Sequence, residues 1–223
     1  MHLEALIFDL DGTLVDTAPD LLAATNHVLT TEGRQAISEK QLREFVGHGA
    51  MDLIRRGLTA TGGVPDDATL KKLHGELLKY YGNNIAVHSR VFDGIPKLLE
   101  RARAKGLKMG ICTNKMEGLS RKLIAEIGLS DYFDAVVGGD SLPVMKPDPG
   151  PYLEVARLLG VNPRHTMMFG DSETDIKTAR AAGVPVVAVS FGYTPKHVSL
   201  FAPDHVIDHY DEAHELLFGA DAA

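Results

Sequence analysis

The 223-residue sequence predicts an α/β protein: a doubly wound parallel sheet, a Rossmann-like core, interrupted by a small helical cap. Three observations carry this prediction. Short apolar runs alternate with segments of helical periodicity, the pattern of βαβ units. The runs lack the polar alternation of a half-exposed strand and read as buried on both faces. One interval, residues 16–87, is too long for a single crossover helix and reads almost entirely helical. The predicted domains are therefore a core of residues 1–15 and 88–223 and a cap of residues 16–87.

Taken in order, residues 3–8 form the first strand, ending on Phe8-Asp9-Leu10-Asp11-Gly12-Thr13. Thr17 before Ala18-Pro19 suits a helix start, and Leu21, Leu22, Thr25, Val28 and Leu29 give that helix an apolar face. Further cap helices are predicted over 39–45, 51–58 and 70–81, with Gly62-Gly63-Val64-Pro65 as a break. Strands follow at 108–112, 135–137, 166–169 and 184–189. Helices over 95–104, 119–127, 152–159 and 175–182 lie between them, several with glycine near their ends. Right-handed crossovers would bring the residues that follow each strand to one edge of the sheet.

The formal net charge of −7 argues against nucleic acid and against an acidic membrane surface, since both require basic patches. The single cysteine, Cys112, lies in an apolar run and has no intrachain partner, as expected in a reducing cytoplasm. No apolar run approaches membrane-spanning length, and the N-terminus enters a strand without signal-peptide architecture. A soluble cytoplasmic protein, monomer or homodimer, is expected.

Asp9 and Asp11 are the first candidates for chemistry. In a strand, side chains alternate, so the two carboxylates point the same way while Leu10 points back into the core. Gly12 then lets the chain turn, leaving both at the carboxyl end of the strand, where open α/β sheets hold ligands. The arrangement is that of a metal-assisted nucleophile.

This run resembles the first motif of the haloacid dehalogenase-like hydrolase superfamily, and three further segments match in order. They are Ile111-Cys112-Thr113-Asn114-Lys115, Lys146-Pro147-Asp148-Pro149 and Gly170-Asp171-Ser172-Glu173-Thr174-Asp175. The resemblance implies that Asp9 is the nucleophile that becomes phosphorylated and that Asp11 is the acid/base. It implies Mg²⁺ held by the Asp9 side chain, the Asp11 backbone carbonyl and Asp171, with Asp175 supporting the metal's waters. Thr113, Asn114 and Lys146 would bind phosphate: a hydroxyl, backbone N–H groups and a positive charge that neutralise a transferring phosphoryl group. No histidine or cysteine cluster with zinc spacing competes with this set.

Within the superfamily, Thr113-Asn114-Lys115, the Lys-Pro-Asp-Pro run and the helical insert are most similar to phosphoglycolate phosphatases. This makes 2-phosphoglycolate the leading substrate, a small phosphorylated metabolite. Gly47-His48-Gly49-Ala50 resembles a cap loop near the substrate, in which His48 and Gly49 would help set specificity; a plain surface turn is the alternative. Lys115, Arg55 and Arg56 are further candidates for a substrate carboxylate, although Arg55 and Arg56 diverge on a helix. Phe92-Asp93-Gly94 keeps the glycine but lacks the proline that many relatives place there. Other readings stay open: a phosphatase for a different sugar phosphate, nucleotide or pyrophosphate, a sugar-phosphate mutase, or a noncatalytic phosphate-ligand binding protein.

Overall fold

A computed structural model describes residues 2–219; residue 1 and residues 220–223 of the expected core lie outside this range. Six parallel strands form one sheet. In chain order they are β1 (Ala5–Phe8), β4 (Lys108–Cys112), β5 (Ala135–Val137), β6 (Thr166–Gly170), β7 (Val186–Val189) and β8 (His205–Ile207). Their order across the sheet is β5-β4-β1-β6-β7-β8, so the chain winds outward in both directions from β1. A separate two-stranded ribbon pairs β2 (Val15–Asp16) antiparallel with β3 (Arg90–Val91).

Strand alternation sorts the core into two layers. Leu6 and Phe8 of β1 face one side, with Phe8 stacked on Phe169 at 4.9 Å. That side is covered by α5 (Ile95–Ala104), α6 (Glu117–Glu126) and α9 (Tyr210–Phe218). Ala5 and Ile7 face the other side, under α7 (Gly150–Leu159) and α8 (Glu173–Ala182). All four strand residues are fully buried, which is why this segment reads as an unbroken apolar run.

Between the ribbon strands, α1 (Ala18–Thr31), α2 (Glu39–Phe45), α3 (Ala50–Ala60) and α4 (Asp67–Asn83) pack on one another. Ser38 and Gln41 close a capping box on α2, and Asp66 caps α4 through the Ala68 and Thr69 N–H groups. Leu21, Leu29, Leu73 and Leu77 extend the Leu6/Phe8 core layer into these helices without a break. The two ends of the four-helix segment are tied together by Asp20. Its buried carboxylate accepts from the His88 and Ser89 N–H groups (3.0 and 2.8 Å) and from Ser89 Oγ (2.7 Å).

Thr17 precedes α1 as expected but does not cap it; its hydroxyl is donated to Asp11 instead. The last predicted strand starts two residues later than expected, because the Val184 N–H still donates to the Ala179 carbonyl at the end of α8 and Pro185 has no N–H to give to the ladder. No helix of the described residues is long and apolar enough to cross a membrane.

Candidate active site

The site forms at the carboxyl edge of β1, β4 and β6. Gly12 has φ +79°, a conformation open mainly to glycine, and a Cβ there would lie 2.4 Å from Asp171 Oδ2. Gly192, in the loop after β7, is pressed on the same carboxylate, since its Cβ would fall 2.1 Å from Asp171 Cβ. These two glycines let Asp171 sit directly against the first turn. The Tyr193 N–H then donates to Asp171 Oδ2 at 2.5 Å.

Asp9, Asp171 and Asp175 each offer an oxygen within 4.8 Å of the others, all of them buried. Lys146 is the cation between them, with Nζ 2.6 Å from Asp175 Oδ1 and 2.9 Å from Asp9 Oδ1. The Asp9 contact is an ion pair without hydrogen-bond geometry, so this buried oxygen has no hydrogen-bond partner. Burial pushes the Asp9 carboxyl up to about 6, a rise that Lys146 opposes and Asp175 reinforces. Burial raises Asp171 well above the carboxylate range too, followed by the charges of Asp175 and Asp9. For Lys146, burial alone would lower the ammonium, but Asp175 and Asp9 outweigh it and the net shift is upward.

One lysine among three buried carboxylates leaves negative charge uncompensated. The donors are all oxygens, and Asp9 Oδ1 is free to accept. A hard divalent cation fits this set. Asp175 is already committed: Oδ1 accepts from Lys146, and Oδ2 accepts from the Asp171 and Ser172 N–H groups and Ser172 Oγ. It caps α8 and anchors Lys146, leaving Asp9 and Asp171 as the side chains with capacity to spare.

Asp11 turns away from this cluster. Its carboxylate accepts from Lys115 Nζ at 2.7 and 2.9 Å and from Thr17 Oγ1 at 2.6 Å. Lys115 is itself buried and lies 4.6 Å from the centre of the Tyr81 ring. Burial would lower its ammonium; the Asp11 and Tyr81 interactions more than reverse this. Lys115, read from sequence as a candidate for the substrate's carboxylate, therefore already contacts the acid/base candidate.

Thr113 is buried at the end of β4, where its hydroxyl accepts from the Lys115 N–H at 3.2 Å. The Asn114 side chain is fully engaged with protein groups, while its backbone N–H and those of Leu10 and Asp11 meet no protein acceptor among the described residues. Cys112 lies beneath the site, its thiol pushed up to about 12 by burial, and is a packing residue.

A small cavity of about 50 Å³ connects this chemistry to the four-helix segment, and its lining includes Asp9, Asp11, Lys115, Gly47 and Gly49. Leu21, Leu53, Leu77, Leu78 and Leu119 make its wall apolar. His48 instead lines a neighbouring cleft with Glu44, Arg56 and Lys196. Arg55 is exposed, and Arg56 pairs with Asp52 at 2.5 Å. Neither arginine lines the cavity beside Asp9 and Asp11.

Tyr193 and Tyr81 carry no sequence signal of this site. The Tyr193 hydroxyl donates to Asp16 (2.5 Å) and accepts from the Thr17 and Ala18 N–H groups (2.6 and 2.9 Å), linking the Asp171 loop to the start of α1. Such pairs are some 175 residues apart in sequence and invisible to local pattern.

A parallel sheet with a carboxylate nucleophile candidate at its centre, a second acid beside it and a lysine-bridged acidic cluster defines a phosphotransfer-type α/β hydrolase. Residues 6–189 match the family model for haloacid dehalogenase-like hydrolases, and the chain belongs to that family. A phosphoglycolate phosphatase from Mesorhizobium japonicum is 45% identical over 206 residues, covering 92% of this chain and 91% of its own. One from Thiobacillus denitrificans is 40% identical over 194 residues, 86% of each chain. The crystal structure of a predicted phosphoglycolate phosphatase from Haemophilus somnus 129PT superposes with a TM-score of 0.92 at 28% identity, covering 97% of this chain and 98% of that one.

Proposed function

We propose that this protein is a Mg²⁺-dependent phosphomonoesterase that hydrolyses 2-phosphoglycolate to glycolate and phosphate through a phosphorylated Asp9. The observation that carries the reading is the cavity. It joins the Asp9/Asp11 pair to a narrow, leucine-walled space whose lining contains one cation, Lys115. A short acid fits such a space, whereas a sugar or nucleoside would leave its hydroxyls against leucines without partners.

Asp9 attacks phosphorus, and the bond to the ester oxygen breaks. Asp11, oriented by Lys115 and Thr17, gives its proton to the departing alcohol. The resulting acyl phosphate has a good leaving group, which divides one hard step into two. Asp11 then takes a proton from water as that water attacks phosphorus, releasing phosphate and restoring the Asp9 carboxylate. Lys146 and the uncommitted N–H groups of Leu10, Asp11 and Asn114 are suited to hold the phosphoryl oxygens. Mg²⁺, held by Asp9, the Asp11 carbonyl and Asp171, would supply positive charge against the repulsion between a phosphate dianion and a carboxylate. A buried lone thiol and an acidic net charge favour a soluble cytoplasmic enzyme.

The test is phosphate release from 2-phosphoglycolate, hexose phosphates, nucleotides and pyrophosphate, with and without Mg²⁺, by wild type and Asp9→Asn. Preference for 2-phosphoglycolate, lost without metal and in the variant, is the expected result. Preference for another ester would overturn the substrate, and release by Asp9→Asn at the wild-type rate would overturn the mechanism.

A further inference from the structure

We propose that the Tyr81 hydroxyl is a specificity-determining group that donates a hydrogen bond to the acid group on the leaving side of the substrate, beside the Lys115 ammonium. The inference rests on the phosphatase reading above and names the residue that recognises the substrate's far end.

Tyr81 sits near the end of α4, 2% exposed, and lines the same cavity as Asp9, Asp11 and Lys115. Its hydroxyl is buried with no hydrogen-bond partner of regular geometry, and the Lys115 ammonium that interacts with it can only donate, so the O–H has no acceptor. Leaving such a group unsatisfied is costly, so a phenol in this state beside a ligand cavity is best explained by the ligand. Among the described residues, Tyr81 is also the one polar side chain that the four-helix segment contributes to the lining; its other contributions are glycines, alanine, valine and leucines.

The position relative to Lys115 sets the ligand class. The ring lies 4.6 Å from Lys115 Nζ and holds that ammonium by a cation–π contact. Burial raises the phenol to about 12, keeping it a proton donor at neutral pH. An ammonium and a phenolic O–H in one cavity present two donors to one acceptor group, which matches a carboxylate. Lys115 already has the Asp11 carboxylate, so a neutral alkyl group would leave the phenol as the unpaired donor. The pair therefore selects phosphate esters of short hydroxy acids over esters of simple alcohols.

Tyr81→Phe keeps the ring over Lys115 and removes only the hydroxyl. The measurement is the ratio of kcat/KM for 2-phosphoglycolate to that for ethyl phosphate, which has the same ester linkage and no carboxylate. The ratio should fall about tenfold or more, mainly through KM, the effect of losing one hydrogen bond to a charged group. Tyr81→His, which restores a ring N–H, should recover part of it. A wild type that does not prefer the acid would overturn both the substrate and this inference. A wild type that prefers it, with an unchanged ratio in Tyr81→Phe, would overturn this inference alone, whether the two rates fall together or neither moves.

Discussion

The side-chain amide of Asn114 reaches from the end of β4 to the loop between α2 and α3, where Nδ2 donates to the Gly47 carbonyl at 2.9 Å. The same amide brackets the Lys146 backbone, donating to its carbonyl at 3.0 Å and accepting from its N–H at 2.9 Å. One side chain thus fixes both the loop over the cavity and the lysine that faces Asp9. Asn114→Ala removes all three bonds. We expect kcat to fall roughly 10–100-fold, as when a positioning contact is lost from an active site. Hydrogen exchange over residues 46–50 should rise in parallel, and exchange at the wild-type rate would show that the loop is held by other means.

Asp20 makes a prediction about stability rather than rate. Its carboxylate is 2% exposed and serves both the Ser89 hydroxyl and the backbone of residues 88–89. Asp20→Ala leaves those buried donors unpaired and should destabilise the protein by about 2–4 kcal/mol, from the loss of several bonds to a charged acceptor. Asp20→Asn should cost less, because one acceptor oxygen is kept. Denaturant titration of the three proteins checks the ranking.

The raised Asp9 carboxyl links stability to pH. Its folded value, about 6, lies above the ordinary 3.8, so between these values the folded protein holds a proton that the unfolded chain has released. The site's contribution is therefore fully present below about 4 and is lost as pH rises through 6, by an amount on the order of 3 kcal/mol. Asp9→Asn should abolish this component and melt higher than wild type at pH 7.5 when no metal is present. Added Mg²⁺ should stabilise wild type more at pH 7.5 than at pH 5, where protons compete for the same oxygens. Melting curves with and without metal at the two pH values decide the matter; an equal metal effect at both would contradict it.

Gly192→Ala places a methyl group 2.1 Å from Asp171 Cβ, far inside van der Waals contact. Asp171 must then move off the cluster, and Mg²⁺ should bind some 10–100-fold more weakly, the range seen when a ligand's support is disturbed. Activity at saturating Mg²⁺ should recover in part. A metal dependence identical to wild type would mean that Asp171 had not shifted.

The strands that build the site were legible because each is short, apolar and buried on both sides, and β1 delivers Asp9 to the sheet edge; strand alternation stops at Phe8, so it did not show that the Asp11 carboxylate turns to Lys115 and Thr17. Helices α2 and α5 were read to the residue, each with a clear start: the Ser38 capping box and Gly94 before Pro96. β8 and α9 went unread. The strand has three residues, two of them not fully buried, and it lacks the apolar run that marked the others. His209 is the N-cap of α9, a role that histidine seldom announces. The Lys115–Asp11, Tyr193–Asp171 and Tyr81 contacts join residues brought together only by the tertiary fold, so no spacing rule reaches them.

The antiparallel ribbon of Val15–Asp16 and Arg90–Val91 closes the four-helix segment at its root. The chain departs from the sheet and returns to it at neighbouring points, so everything between is a detour whose length the sheet does not register. A different insert could be grafted onto the same two strands without displacing Asp9, Lys146 or Asp171. Such an exchange would carry Tyr81 away while Lys115 stayed behind, separating the choice of substrate from the capacity to transfer phosphate.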